Sequence, residues 1–219
     1  YGWYTMMVYV MSVPGGYIAD KFLGQRKSVT IGGVLLLIGH SVLAIEHMTA
    51  FYAGLVFIVL GVGMLKPNIS TMVGGLYKPG DVRRDKGFTI FYIGINVGAF
   101  LSSLIVGYVG ETYGWHYGFG LAGIGMALGV AQYLLGQKYL EGVGNFIGDT
   151  AESAQNLKAP LTKEEKDRIT VLLISFLLVI LFWGAFEQAG GLMNIYTMEK
   201  TNRVLGGWEV PASWFQSLN

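Results

Sequence analysis

Lys66 and Glu187 are the two side chains whose chemistry fits their surroundings least. Lys66 lies in GVGMLKPNIS and Glu187 in FWGAFEQAGG, each within a long apolar segment. Charge at the centre of a bilayer is disfavoured by roughly 2.5 to 3.5 kcal/mol on insertion scales, so such residues face a water-filled cavity or a partner and mark transport paths. A lysine ammonium so placed can hold a carboxylate, and a carboxyl withdrawn from water is a candidate for proton exchange. The bland alternative for both is an ion pair that holds helices together. Pro67 follows Lys66 and removes an amide donor, which suits a bending point.

Such positions need elements that cross lipid. The chain of 219 residues is 53% hydrophobic and 13% charged, where soluble domains carry about 25% charged residues. Its mean hydropathy is +0.49. Apolar windows predict six spanning helices: Trp3 to Ala19, Val29 to Ile45, Ala50 to Leu76, Phe88 to Val109, Phe119 to Gly136 and Ile169 to Met198. A seventh is expected to start near Pro211. Lys66 then lies ~15 Å from the end of its helix at ~1.5 Å per residue, near the middle of a ~30 Å core.

Twelve of the 15 Lys and Arg residues fall in every second loop: after the first span (Lys21, Arg26, Lys27), the third (Lys78, Arg83, Arg84, Lys86) and the fifth (Lys138, Lys158, Lys163, Lys166, Arg168). The positive-inside rule places those loops in the cytoplasm. The one long polar stretch, 138–168, reads as a cytoplasmic linker between an N-terminal bundle at 1–137 and the start of a second at 169–219. Thr162 and Glu165 in LTKEEKDRI make a capping box, so the sixth helix is expected to begin before it enters lipid. Tyr1 in place of Met, with no signal-peptide pattern, leads us to expect a chain that begins inside a larger protein.

Several functions find no pattern. Cysteines are absent, so no thiolate metal site or disulfide framework is available, and a net charge of +1 gives no hint of nucleic-acid binding. GVGMLKPN has Pro67 where a phosphate-cradling loop needs Ser or Thr. No HExxH, GxSxG or paired catalytic acids point to an enzyme. His40, His47 and His116 show no metal spacing and read as structural or interfacial. Gly94 with Gly98 and Gly125 with Gly129 have the small-xxx-small spacing of close helix packing, with hinge points for moving bundles as the functional alternative.

The loop from Gly15 to Lys27, GGYIADKFLGQRK, sets Asp20 between glycines and ahead of Gly24, Arg26 and Lys27. Asp20 can accept from helix N-termini and Gly24 permits a tight turn, an arrangement able to latch one conformational state. Positive-inside flanking alone accounts for Arg26 and Lys27, though not for Asp20.

This loop resembles that between helices two and three of the major facilitator superfamily. FTIFYIGINVGAF, Phe88 to Phe100, is similar to the signature of the proton-coupled oligopeptide transporter family. GVGMLKPNISTMVGGLY, FWGAFEQAGG and SWFQSLN are similar to that family's fourth, seventh and eighth helices. The resemblance implies an all-α membrane protein with part of a major facilitator helical bundle. The chain would cover helices two to seven and the start of eight, without the first helix and its ExxER motif. Many bacterial relatives carry two extra helices in the central linker, for which 138–168 has no apolar run.

The resemblance also implies roles. Lys66 would bind the peptide carboxylate and take part in proton movement, and Glu187 would be a proton site. Phe186 stands where many relatives carry a second acid. Tyr9, Asn96 and Trp183 match positions that line the cavity, Asn96 for peptide amides or the terminal amine. Glu199 corresponds to an outer-gate acid, and no histidine here matches the second-helix histidine of animal relatives. The expected function is proton-coupled symport of di- and tripeptides by alternating access, with protons the only coupling partner and no cofactor or metal. The expected partners are small peptides, protons and the lipid bilayer of the plasma membrane, with no nucleic acid. Two other readings remain: a carrier of nitrate or another small anion held by Lys66, and a membrane receptor or assembly subunit in which Lys66 and Glu187 only pair helices.

Overall fold

The computed structural model describes residues 1–140, 142–146 and 162–218. Much of the expected linker, residue 141 and residues 147–161, thus lies outside the described residues. The contacts form two compact units, Tyr1–Gly148 with Ser213–Asn219, and Asp149–Ala212.

In the first unit, the span expected over Trp3 to Ala19 is a pair of shorter helices, α1 (Gly2–Val10) and α2 (Ser12–Ile18), followed by a π-helical turn at Ala19–Leu23. Pro14 explains the break. It has no N–H to give the Val10 carbonyl, so the ladder loses a rung at Met11, whose backbone nevertheless stays helical at φ −65° and ψ −13°. Gly24, at φ 77°, turns the chain into α3 (Gln25–Leu43), and α4 (Met48–Gly75) returns alongside. His47, to which the sequence assigned no cap, starts α4 by accepting the Thr49 N–H on Nδ1 at 3.2 Å. Leu36, Leu43 and Ile58 form the core between α3 and α4, with Tyr4, Phe119 and Met126 packed against it.

Close packing falls on other glycines than the spacing predicted. A Cβ on Gly32 would stand 2.7 Å from the Gly61 carbonyl oxygen, one on Gly61 2.8 Å from that of Gly32, and one on Gly54 2.9 Å from that of Gly39. Gly94, Gly98, Gly125 and Gly129 have nothing among the described residues within 4 Å of that position. Regular spacing marks a face of a helix but not which face meets a neighbour.

α4 runs on through Pro67. The donor missing at Pro67 leaves the Gly63 carbonyl without its usual partner, and the bare Cα of Gly15 lies against that peptide: a Cβ there would be 2.5 Å from the Gly63 carbonyl carbon. Asn68, 2% exposed, ties the same crossing together, its Nδ2 donating to Met64 at 2.7 Å and to Gly15 at 3.4 Å. Lys66 is therefore carried on a helix fixed backbone to backbone.

α5 (Arg83–Tyr113) and α6 (Trp115–Gly136) complete this unit, separated only by Gly114 at φ 124°. Asp81 leads into α5 by accepting the Arg83 N–H at 2.9 Å and its guanidinium at 2.7 Å. The Arg83 side-chain hydrogen bond holds the Asp81 carboxyl down at about 2. This support is in place above the ordinary carboxylate pKa of ~3.9 and is lost as pH falls through about 2.

The second unit opens as the sequence requires. Thr162 caps α7 (Lys163–Phe186) with the full capping box: its hydroxyl accepts the Glu165 N–H at 3.3 Å, and Glu165 accepts the Thr162 N–H at 2.8 Å. Thr162→Ala is expected to cost about 1 kcal/mol of local helix stability, read as faster amide exchange over the first turn. The span expected to Met198 is interrupted just past Glu187 by a π-helical segment, Ala189–Met193, where the Met193 N–H reaches the Gln188 carbonyl at 2.9 Å. Gly190 and Gly191 hold the α geometry weakly there. α8 (Asn194–Lys200) follows, then a hairpin of β1 (Val204–Leu205) and β2 (Trp208–Glu209). The seventh helix expected near Pro211 is a 3-10 helix, Ala212–Leu218.

Among the described residues, five helical stretches are long and apolar enough to cross a membrane: Gln25–Leu43, Met48–Gly75, Arg83–Tyr113, Trp115–Leu140 and Lys163–Lys200. The remaining expected span, the first, is the α1–α2 path, divided at Met11.

Candidate functional site

The α1–α4 crossing brings Lys66 to Tyr9, with Nζ 4.6 Å from the ring centroid. Both side chains are exposed. At exposed sites such a cation–π contact is worth about 0.5–1 kcal/mol, enough to orient the ammonium and weak enough to leave it available. Around it the Ser70 hydroxyl donates to the Lys66 carbonyl at 3.1 Å, and that of Thr71 to the Pro67 carbonyl at 3.0 Å. These carbonyls are thereby partly satisfied.

Asn96 is exposed on α5 and spends one amide hydrogen on the Tyr92 carbonyl at 2.8 Å. Its second amide hydrogen and its Oδ1 can still serve a ligand.

In the second unit, Trp183 and Glu187 are a helical turn apart and share a face. Trp183 is 44% exposed. It meets Phe182 and Phe186 edge to face, at 5.8 and 5.2 Å between centroids. Phe186 thus completes an aromatic cluster with Phe182 and Trp183. Glu187 ends α7 half-buried, its N–H bonded to the Trp183 carbonyl at 2.9 Å. Glu199 is exposed on α8.

The loop residues separate by role. Asp20 is exposed and borders a 150 Å³ hollow with Gly24, Gln25, Asn145 and Phe146; among the described residues no helix N-terminus donates to it. Gly24 is required twice, for its positive φ and because a Cβ would stand 2.5 Å from the Phe146 nitrogen. Lys27 is exposed. Arg26 is more than a flanking charge. Its guanidinium donates to the Gln137 carbonyl at 2.9 Å and, at 3.4 Å, to the side-chain oxygens of Gln137 and Asn145, while its N–H bonds the Gly144 carbonyl at 2.9 Å. It fastens the chain after α6 to the first turn of α3. Arg26→Ala is expected to cost about 2 kcal/mol in thermal unfolding, and Arg26→Lys to recover less than half, since an ammonium cannot fork across these acceptors.

Other polar contacts had no sequence signal, because their partners are far apart in the chain. His116 Nδ1 pairs with Glu46 at 2.5 Å, joining the α3–α4 and α5–α6 turns. These turns border a hollow of about 770 Å³ lined by Phe51, Trp115 and Phe119, which includes neither Lys66 nor Tyr9. Glu111 holds the last described segment by the Ser213 N–H at 2.7 Å.

A family model described as PTR2, POT family, matches residues 26–150. The chain is 33% identical to the peptide transporter YePEPT of Yersinia enterocolitica, covering 100% of this chain and 55% of that protein. It is 30% identical to a di-/tripeptide transporter of Lactococcus lactis subsp. cremoris, covering 99% of this chain and 55% of that one. A crystal structure of a peptide transporter POT in complex with sulfate matches with a TM-score of 0.81 and 32% identity, over 98% of this chain and 55% of that one. The chain thus spans about half the length of the curated relatives it matches. With the signature Phe88 to Phe100 and the Lys66 and Glu187 segments, these likenesses identify it as a member of the POT family, an all-α, multi-pass membrane protein of the major facilitator type.

Proposed function

We infer that the protein of which this chain is part carries di- and tripeptides into the cell together with protons, by alternating access. The observation that carries this reading is the Lys66 ammonium beside the Tyr9 ring, on a long apolar helix of a POT family member. A peptide always has a carboxylate, an amine and backbone amides, whatever its side chains. Lys66 binds the carboxylate and Asn96 an amide or the terminal amine. Tyr9 and Trp183 supply amphipathic walls, and Glu187 takes the proton. Protonation of Glu187 as peptide binds favours closure to the outside; release of both into the cytoplasm resets the carrier. Asp20, Gly24, Arg26, Lys27, Pro67 and Glu199 serve conformational change. The loops rich in Lys and Arg, and the linker 138–168, face the cytoplasm across the plasma membrane.

The test is uptake of labelled dialanine by proteoliposomes holding the full-length protein, with and without an inward proton gradient. Accumulation driven by the gradient and blocked by excess dipeptide is the expected result. Failure of folded protein to accumulate it overturns the reading. The likeness to a POT structure solved with sulfate supports a second reading, in which Lys66 holds a small inorganic anion; competition by nitrate in place of dipeptide distinguishes it. A receptor in which Lys66 and Glu187 only pair helices predicts that exchanging the two residues preserves folding and activity.

A further inference from the structure

Leu104, Gly107, Tyr108 and Glu111 are three and four residues apart and share one face of α5. The segment that begins at Ser213 is seated on that face. Glu111 Oε1 accepts the Ser213 N–H at 2.7 Å, the Trp214 indole donates to the Leu104 carbonyl at 3.1 Å, and the rings of Tyr108 and Trp214 lie 6.2 Å apart. Gly107 is buried, and a Cβ there would stand 2.5 Å from that of Ser213, so its bare backbone admits the segment. Ser213 Oγ is buried with no hydrogen-bond partner.

We propose that Glu111 is a gate-positioning residue: the segment from Ser213 docks on this stripe when the carrier is closed to the non-cytoplasmic side and leaves it when that side opens. The proposal rests on the transporter reading above, which places the α5–α6 turn outside the cytoplasm. The contacts suit a reversible latch. Hydrogen bonds and an aromatic pair such as these can be exchanged for water, unlike the backbone-on-backbone crossing at Gly15. Undocking also returns water to the unpartnered Ser213 hydroxyl, which offsets part of what opening loses.

The experiment uses the full-length protein, freed of any other cysteine, with Ser213→Cys as the single thiol; the 219 residues here contain none. A membrane-impermeant maleimide added from outside reads its exposure. The thiol is expected to label slowly in the parent and at least ~5-fold faster with Glu111→Ala, whereas Glu111→Gln stays within ~2-fold because its amide oxygen still accepts the Ser213 N–H. Gly107→Val is expected to accelerate labelling by expelling the segment. Should Glu111→Ala not fold, Trp214→Phe removes the indole donor while keeping an aromatic ring, and carries the same expectation. During gradient-driven uptake of dialanine, labelling of the parent is expected to accelerate. Faster labelling of Glu111→Ala supports the latch whether or not dialanine is carried, since labelling needs no substrate. Equal rates in the parent, Glu111→Ala and Gly107→Val overturn it. So does a rate unchanged by turnover in protein that accumulates dialanine, which makes the contact static.

Discussion

Gly15→Ala is expected to cost the protein most of its folded yield, while Gly16→Ala, one residue on, leaves it intact. A Cβ on Gly15 would lie 2.5 Å from the carbonyl carbon of Gly63 and 3.0 Å from the Met64 nitrogen. Both are backbone atoms of α4, so no rotamer change relieves the overlap and the helices must separate. Separation strips Asn68, buried in the same crossing, of its bond to Gly15. Overpacking costs typically 1–3 kcal/mol where side chains can move, and the cost here is expected at or above that range. Gly16 has nothing among the described residues within 4 Å of a Cβ, and alanine there gains up to ~1 kcal/mol of helix propensity. Monodisperse yield and apparent melting temperature in detergent separate the two variants. A Gly15→Ala protein that melts with Gly16→Ala would show that the crossing yields.

The contrast between these neighbours shows where the sequence stopped being informative. Hydropathy alone located the apolar paths, because a run of apolar residues long enough to cross lipid is rare in chains that fold in water, and Thr162 with Glu165 gave the start of α7. Pro14 was visible, yet its effect depended on which carbonyl lost its donor, and the span was expected whole. Glycine spacing failed differently: Gly94, Gly98, Gly125 and Gly129 follow the small-residue pattern but have nothing among the described residues within 4 Å of a Cβ, whereas Gly15, Gly32, Gly54 and Gly61 abut backbone. Which side of a helix meets which neighbour is set by tertiary packing and is not encoded in the spacing of one helix. Arg26 read as a flanking charge for the same reason, since its acceptors at Gln137 and Asn145 lie at the far end of α6 and beyond.

The site was legible to the extent that burial cost singles out residues. Lys66 and Glu187 stood out because charge in an apolar run needs a reason. Tyr9 came only from resemblance, and its meeting with Lys66 needed the fold. Glu46 with His116, and Glu111 with Ser213, are joined across turns or segments remote in sequence. Each partner alone looks like an ordinary interfacial side chain.

Glu187→Gln is expected to abolish gradient-driven accumulation of dipeptide while leaving exchange of labelled for unlabelled peptide, and Lys66→Ala is expected to lose both. The difference follows from what each change removes on the proposed reading. Glutamine keeps the size and hydrogen-bonding capacity of a protonated Glu187 but cannot release a proton, so the carrier can still bind and reorient with peptide yet has no means of coupling to the gradient. Alanine at position 66 removes the cation that meets the peptide carboxylate. A hydrogen bond to a charged group contributes about 1.5–3 kcal/mol, so peptide affinity should fall about 10- to 150-fold. Lys66→Arg retains the charge and the capacity to lie over the Tyr9 ring, and should restore binding in part, since a planar guanidinium differs in reach from a compact ammonium. Uptake and exchange assays on the full-length protein in proteoliposomes read all three variants. Undiminished uphill uptake by Glu187→Gln would remove this residue from the proton path, and unchanged dipeptide affinity in Lys66→Ala would leave the ammonium without the carboxylate it is proposed to hold.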